Sequence, residues 1–460
     1  SYLQFDMNIC GMNQHKNIFA VLPGTDTSDK SVVIIEGHLD SRCAGLCDTS
    51  CVAEGMEDNG SGSALVLELA RTMSKYSYKN SIVFLLTISE EQGLYGAQAF
   101  VTYAMQKGIK IKAVLNNDVI GGIICGKTSS PPSCPGAGNI DSTHVRLFSY
   151  GGFSSFHKGL ARFIKLEYKE LIKPVAAVTM TLNLMTPEDR TGRGGDHIPF
   201  RQQNYTTLRF TSANECGDAN VTDPNYTDRQ HTSADILGVG THSNNIIDSF
   251  FVDFNYLARN AVINGNAAGM AAIGPKTPDF TMTSPNGENI IITITQQTQY
   301  LSYRVGLRTT TYDWDTVFTC VSATVFTLNV PSGIYIASVA SVDDKGVESL
   351  FSEELMLTVT TGLKELNAPE RTLELLQNKP NPSDEATTIS VRVDKEINFK
   401  DAFISIKDIS GKEVSKMPIL LKEGINEVDY NHGYHMSGTF IYSLVIDGKV
   451  IQSKKMIFTN

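Results

Sequence analysis

Five short segments carry acidic or imidazole side chains, four of them beside glycine, in ways that could bind cations and move protons. In "IIEGHLDSR", His38 and Asp40 stand at i and i+2 just past an apolar run. In extended chain such side chains share a face, so an imidazole can ligate a metal while its neighbour orients it. In "EGMEDNGSGSALVLELAR", Asp58 and Asn59 precede Gly60, Ser61, Gly62 and a helical run. The glycines permit close backbone approach to a ligand, although Asp, Asn and Ser in this position also cap helices. In "IVFLLTISEEQGLYGAQAF", Glu90 and Glu91 are adjacent in a non-helical turn and point in different directions. One can bind a metal while the other faces a water. Side by side at a strand end they repel unless a cation sits there, or a helix dipole favours them. Asp118 ends the apolar run of "AVLNNDVIGG", where it could also simply turn the chain. His231 lies in the polar loop "DRQHTSADI", with Asp235 as a potential cap.

These side chains need a scaffold, and the pattern between them supplies one. Val32 to Ile35, Ile82 to Ile88 and Ile111 to Leu115 read as buried strands. Ser63 to Met73 carries Leu65, Leu69 and Met73 at helical spacing, and Ala97 to Met105 reads as a second helix. Asn244 to about Gly269 reads as a long amphipathic helix that Gly265 and Gly269 end. The alternation predicts an α/β fold over residues 1–271, with a mostly parallel mixed sheet flanked by helices and ligands at the carboxyl ends of strands. From Gly274 short alternating runs take over, predicting two small all-β sandwich domains at 275–361 and 372–460, joined by a polar linker from Thr361 to Arg371.

Composition bounds the reading. With 460 residues, 41% hydrophobic and 19% charged, the chain is ordinary globular material in several domains. A net charge of −10 argues against nucleic-acid or anionic-membrane partners. No apolar stretch approaches the ~18 residues of a transmembrane helix. The sequence opens at Ser1 without a leader-like segment and is read as a mature or trimmed product. Cys10, Cys43, Cys47, Cys51, Cys125, Cys134 and Cys216 fall in the first half, and Cys320 stands apart. Without a CxxC pair, disulfides outweigh a zinc-thiolate site, the pairing stays open, and at least one thiol is expected to be free.

The motifs "GHLDS", "EDNGSG", "SEEQGLYGA", "NNDVIG" and "HTSAD" follow one another between about residues 15 and 265, and the set resembles the M28 family of zinc aminopeptidases. The resemblance implies an enzyme that cleaves the N-terminal residue from peptides or proteins, with leucine the family's common choice. It implies two Zn2+ ions, for which Co2+ or Mn2+ can substitute. His38 and Asp118 would hold one, Glu91 and His231 the other, and Asp58 would bridge them. Glu90 would be the general base and Asp40 the support of His38. One departure lies in "DRTGRGGDHIPFRQQN", matching the family's triplet at Gly195, Asp196 and His197. Some members carry a Tyr shortly before it; here Arg193 stands there, a candidate contact for the oxyanion or a peptide carbonyl. Asp196 and His197 read as pocket wall or helix start. His15, His144, His157, His242, His432 and His435 lie outside any motif and read as surface or loop residues.

Two competing functions remain at this level. One is a single-zinc glutaminyl cyclase, a group that lacks the "DNGSG" segment. The other is an inactive adhesion or binding protein whose β domains carry the function. The stretch "YIASVASVDDKGVESLFSEELMLTV" resembles the last strands of a fibronectin type III module. The "QNKPNP" segment, with the closing "GTFIYSLVIDGKVIQSKKMIFTN", resembles the C-terminal sorting domain of the type IX secretion system. That resemblance implies a secretion-machinery partner and export through the outer membrane of a Gram-negative bacterium, to the medium or the cell surface.

Overall fold

In the computed structural model the apolar runs become the centre of an eight-stranded sheet. Its strands are β1 (Tyr2–Ile9), β2 (Met12–Leu22), β3 (Val32–His38), β4 (Ser81–Thr87), β5 (Ile111–Asn117), β6 (His144–Phe148), β7 (Thr181–Leu184) and β8 (Thr207–Ser212). They lie in the order β1-β2-β4-β3-β5-β8-β6-β7. The structure describes all residues except 127–135, 137, 153–154, 191–192, 215–228, 243–245, 286, 288, 296–299, 301, 322–323, 361–372, 384–385, 396–397, 410, 433–437 and 460. The Thr361 to Arg371 linker, Cys134, Cys216 and His435 therefore lie outside the described residues.

The four central strands β4, β3, β5 and β8 are parallel, while β2 and β6 join antiparallel on either side. Every residue of β3 is buried, as a strand covered on both faces requires. Its side chains alternate between two cores. Val33 and Ile35 pack with Leu65, Leu69, Ala268 and Ala272, whereas Ile34 packs with Leu85, Phe100 and Phe200. The covering helices are α1 (Ser61–Met73), α2 (Tyr95–Gln106), α3 (Phe156–Glu167), α4 (His197–Gln202) and α5 (Phe254–Ile273).

Two features depart from the sequence pattern. The β1–β2 hairpin extends the sheet where no strand was read. The helix expected over Asn244 to Gly269 starts at Phe254 and runs through both glycines to Ile273. Asp253 caps it, accepting from the Tyr256 amide at 2.6 Å, and residues 249–250 instead pair with 238–239. Gly265 does not end the helix because it makes room for α1: a Cβ there would lie 2.9 Å from Leu69 Cδ2.

By compactness the chain forms two units, 1–284 with 289–359, and 285–288 with 360–460. In the first, a three-stranded antiparallel sheet (Phe280–Thr283, Asn289–Ile294, Val325–Asn329) faces a four-stranded one (Ser302–Arg308, Thr316–Val321, Gly333–Val342, Leu355–Val359) across a shared core of Ile292, Val305 and Val339. Ion pairs tie these sheets to α3 and to the turn after it. Glu354 meets Arg162 at 2.8 Å and Arg308 at 2.6 Å, and Arg304 joins Glu348 at 3.1 Å to Glu170 at 2.6 Å. The second unit likewise has a three-stranded and a four-stranded antiparallel sheet, with Ile389, Ile404 and Leu444 in its core.

Candidate metal centre

The chemistry gathers at the carboxyl ends of the parallel strands. His38 ends β3, Glu90 and Glu91 follow β4, and Asp118 follows β5. Asp58 comes from the turn before α1 and His231 from a later loop. Backbone strain marks three of these points. Ser89, Val119 and His231 hold φ of 63°, 55° and 60°. Left-handed backbone costs a non-glycine residue about 1–3 kcal/mol and is rarest for β-branched side chains such as valine. Here it sits beside or at Glu90, Asp118 and His231.

The "DNGSG" segment is built for contact with β5 more than for capping. Asn59 Nδ2 donates to the Asn117 carbonyl at 2.8 Å, and its Oδ1 accepts from the Gly62 amide at 3.0 Å and the Val119 amide at 3.3 Å. A Cβ on Gly62 would lie 2.1 Å from the Asn117 carbonyl oxygen, so no larger residue fits. Asp58 is left free to face the hollow, its amide and that of Glu57 held by the Asp235 carboxylate at 3.0 and 2.8 Å.

Six side chains converge as two sets, His38 with Glu90 and Asp118, and Asp58 with Glu91 and His231. His38 Nε2 lies 3.3 Å from Asp118 and 3.2 Å from Asp58 Oδ1. His231 Nε2 lies 3.1 Å from Asp58 Oδ2 and 3.1 Å from Glu91 Oε2. The two oxygens of Asp58 thus face opposite imidazoles. His38 Nδ1 donates to the main-chain carbonyl of Asp40 at 3.0 Å, so in a neutral ring Nε2 would be the nitrogen free to ligate. The Asp40 carboxylate lies 3.7 Å from His38 Nδ1 and also accepts from the Glu90 and Glu91 amides at 3.2 and 3.1 Å, pinning the acidic turn.

The electrostatics call for cations. Burial pushes the Glu90 carboxyl well above its ordinary range, and neighbouring Asp118, Glu91 and Asp196 add to the shift against the pull of His38. Burial also opposes charge on His38 and Asp58, yet the acids raise the imidazole well above its usual value, and the two imidazoles drive Asp58 well below its own. Glu91 Oε1 is buried and has no hydrogen-bond partner among the described residues. Two imidazoles, four carboxylates and an orphaned buried oxygen suit divalent zinc. One contact must yield. Arg42 Nη2 lies 2.7 Å from His231 Nδ1, and arginine only donates. Ligation through Nε2 of neutral His231 therefore requires Arg42 to release Nδ1.

Several residues at the centre carried no motif. Arg42 Nε pairs with Glu91 at 2.8 Å, and its Nη1 is held by the carbonyls of Cys43 and Ala44, both at 3.2 Å. Arg209, fully buried in β8, bridges Asp118 at 3.1 Å and Asp189 at 3.0 Å. A charged residue inside the apolar strand "TLRFTS" was the available signal. Glu36 lies buried behind His38, bonded to Thr87 and Asn116, its carboxyl pushed to about 7 by desolvation.

Arg193 lines a cavity of about 260 Å3 together with Arg42, Asp58, Glu90, Asp118 and His231. Asp196 precedes α4 and bonds Thr87, and His197 faces the Glu188 carbonyl at 3.2 Å; neither joins the two sets. The rim is stapled by disulfides Cys10–Cys47 and Cys43–Cys51, Cys125 is also disulfide-bonded, and Cys320 is a buried free thiol. His15 and His157 are not surface residues: both are buried, and His157 Nδ1 accepts from the Thr207 amide at 3.1 Å. A larger cavity of about 580 Å3, lined by Tyr168, Val178, Met180 and Val262, is apolar and separate from this chemistry.

Residues 17–245 match the sequence model of peptidase family M28. A probable zinc metalloprotease of Leptosphaeria maculans is 28% identical over 314 residues, covering 64% of this chain and 67% of that protein. One from Pyricularia oryzae is 32% identical over 271 residues, covering 56% and 50%. The chain thus spans half to two thirds of the length of these relatives. Among solved structures, the LapA aminopeptidase of Legionella pneumophila is similar at 19% identity and a TM-score of 0.40, covering 60% of this chain and 59% of that one. A glutaminyl cyclase from an Acidobacteriales bacterium is similar at 19% identity and a TM-score of 0.40, covering 58% and 78%.

Proposed function

From the match of residues 17–245 to peptidase family M28 and the likeness to probable zinc metalloproteases, we propose that this chain is a metallo-aminopeptidase that hydrolyses the N-terminal residue from peptides. The observation that carries the reading is the convergence of His38, Asp58, Glu90, Glu91, Asp118 and His231 from five segments of the chain.

In this reading His38 and Asp118 would hold one zinc, Glu91 and His231 a second, and Asp58 would serve both. The opposed contacts of Asp58, 3.2 Å to His38 and 3.1 Å to His231, support the bridging role. Bound zinc would supply Lewis acidity to the scissile carbonyl and lower the pKa of water. Glu90 would take the proton from the attacking water and deliver it to the leaving amine. Asp40 holds Glu90 for that work through the Glu90 amide. Arg193, at the same cavity, would meet the developing oxyanion or a peptide carbonyl. If Arg193→Ala leaves turnover unchanged, that role is wrong.

A panel of aminoacyl chromogenic substrates, with Glu90→Gln as control, tests the activity; equal signals from both proteins would remove it. Zinc counting separates the peptidase, with two ions, from a one-zinc cyclase. For the remainder we propose a fibronectin type III-like module at 275–361 and a type IX sorting domain at 372–460, giving a secreted or cell-surface enzyme. Support comes from the "QNKPNP" motif and from paired antiparallel sheets in each region. Deleting 373–460 should then retain the protein inside a host equipped for type IX secretion, and unaltered export would contradict the assignment.

A further inference from the structure

Among the described residues, one guanidinium at this site has no carboxylate partner, although the site is full of carboxylates. Arg209 is neutralised by Asp118 and Asp189, at 3.1 and 3.0 Å, Arg190 meets Asp189 at 3.3 Å, and Arg42 meets Glu91 at 2.8 Å. Arg193 differs. Among the described residues its side-chain partner is the neutral amide oxygen of Gln230, and its Nε is buried with no partner. Yet Arg193 lines the same cavity of about 260 Å3 as Glu90 and Asp118. A buried donor left unmade is costly, and the guanidinium fork matches a carboxylate in two parallel hydrogen bonds.

The acids already present would not fill that role once they are engaged with zinc. With their charge answered by cations, the arginines leave a positive field in the cavity. Leu94 is the one large apolar side chain among its described lining residues, a poor match to a leucine-selective pocket. Resting on the metallopeptidase reading above, we infer that Arg193 reads a substrate carboxylate close to the scissile amide. That carboxylate comes from an N-terminal Asp or Glu side chain, or from the C-terminus of a dipeptide.

The test uses the zinc-replete full chain. Relative kcat/KM is measured for Glu- against Gln-p-nitroanilide, and for Leu-Gly against Leu-glycinamide. A preference of about tenfold or more in the first pair marks the side chain, and in the second pair the dipeptide terminus. Arg193→Met should bring that ratio toward one, and Arg193→Lys, which keeps the charge without the fork, should restore part of it. An oxyanion role alone would lower kcat for both members of a pair and leave the ratio intact. Parity in both pairs for the wild type, or a preference that survives Arg193→Met, overturns the inference. Calorimetry with glutarate separates the two levels of the argument. Binding that Arg193→Met abolishes supports the carboxylate site even if no peptide is cleaved, a result that would sink the peptidase reading alone. Absence of both turnover and glutarate binding overturns both.

Discussion

Asp40 acts on two neighbours at once, through its main-chain carbonyl on His38 and its carboxylate on the amides of Glu90 and Glu91. Removing the carboxylate should loosen the acidic turn without emptying the core. Asp40→Ala is expected to weaken zinc affinity by about 10–100-fold, read by competition with a chelating dye while circular dichroism stays unchanged. Unaltered affinity would mean that the turn holds itself. Most acidic and imidazole members of the centre were legible because each sits in a short motif of glycine and acid at a strand end. Arg42, Arg209 and Asp235 were not, since their partners lie far along the chain: Arg42 reaches Glu91 and His231, Arg209 reaches Asp118, and Asp235 reaches the Asp58 amide. Local spacing carries no record of such pairings.

At the scale of elements, the centre depends on how closely α1 approaches β5. Gly62→Ala would drive a methyl against the Asn117 carbonyl, at 2.1 Å before relaxation, and neither backbone can yield easily. We expect a loss of about 1–3 kcal/mol in unfolding free energy, measured by denaturant titration, together with impaired zinc binding. A neutral substitution would show that the turn has slack. The rim makes a second prediction. The disulfide Cys10–Cys47 ties the loop bearing Arg42 to the β1–β2 hairpin and Cys43–Cys51 closes that loop on itself, so reductant should lower the melting temperature; insensitivity to it would count against a stapled rim. The apolar cores of β3, β4 and β5 were readable as runs buried on both faces. The start of α5 was not, because Ile246, Ile247 and Phe250 continue its apolar spacing upstream, while the actual start is set by the Asp253 cap. Its glycines mislead for the same reason: Gly265 answers to Leu69 and Gly269 faces Tyr78, contacts absent from local sequence.

At the scale of the molecule, residues 289–359 share one compact unit with the peptidase region through buried charge. Glu354 answers both Arg162 and Arg308, so Glu354→Gln should destabilise the protein by about 3–5 kcal/mol, seen as a fall in melting temperature. A chain cut near residue 274 would leave Arg162 without Glu354 and should melt lower as well. The nearby Glu167 gives a pH signature. Burial and Glu348 push its carboxyl to about 9, so the folded protein keeps a proton that the unfolded chain has lost above the ordinary value of 4.5. This contribution is full below that value and fades as pH rises through about 9. Stability should decline across this window in the wild type and less steeply in Glu167→Gln, and parallel profiles would refute the assignment. The account as a whole rests on a pair of cations, and anomalous diffraction at the zinc edge tests it most directly. It predicts two peaks per chain, one between His38 and Asp118 and one between Glu91 and His231, with Asp58 reaching both. A single peak, or zinc bound elsewhere, would contradict it.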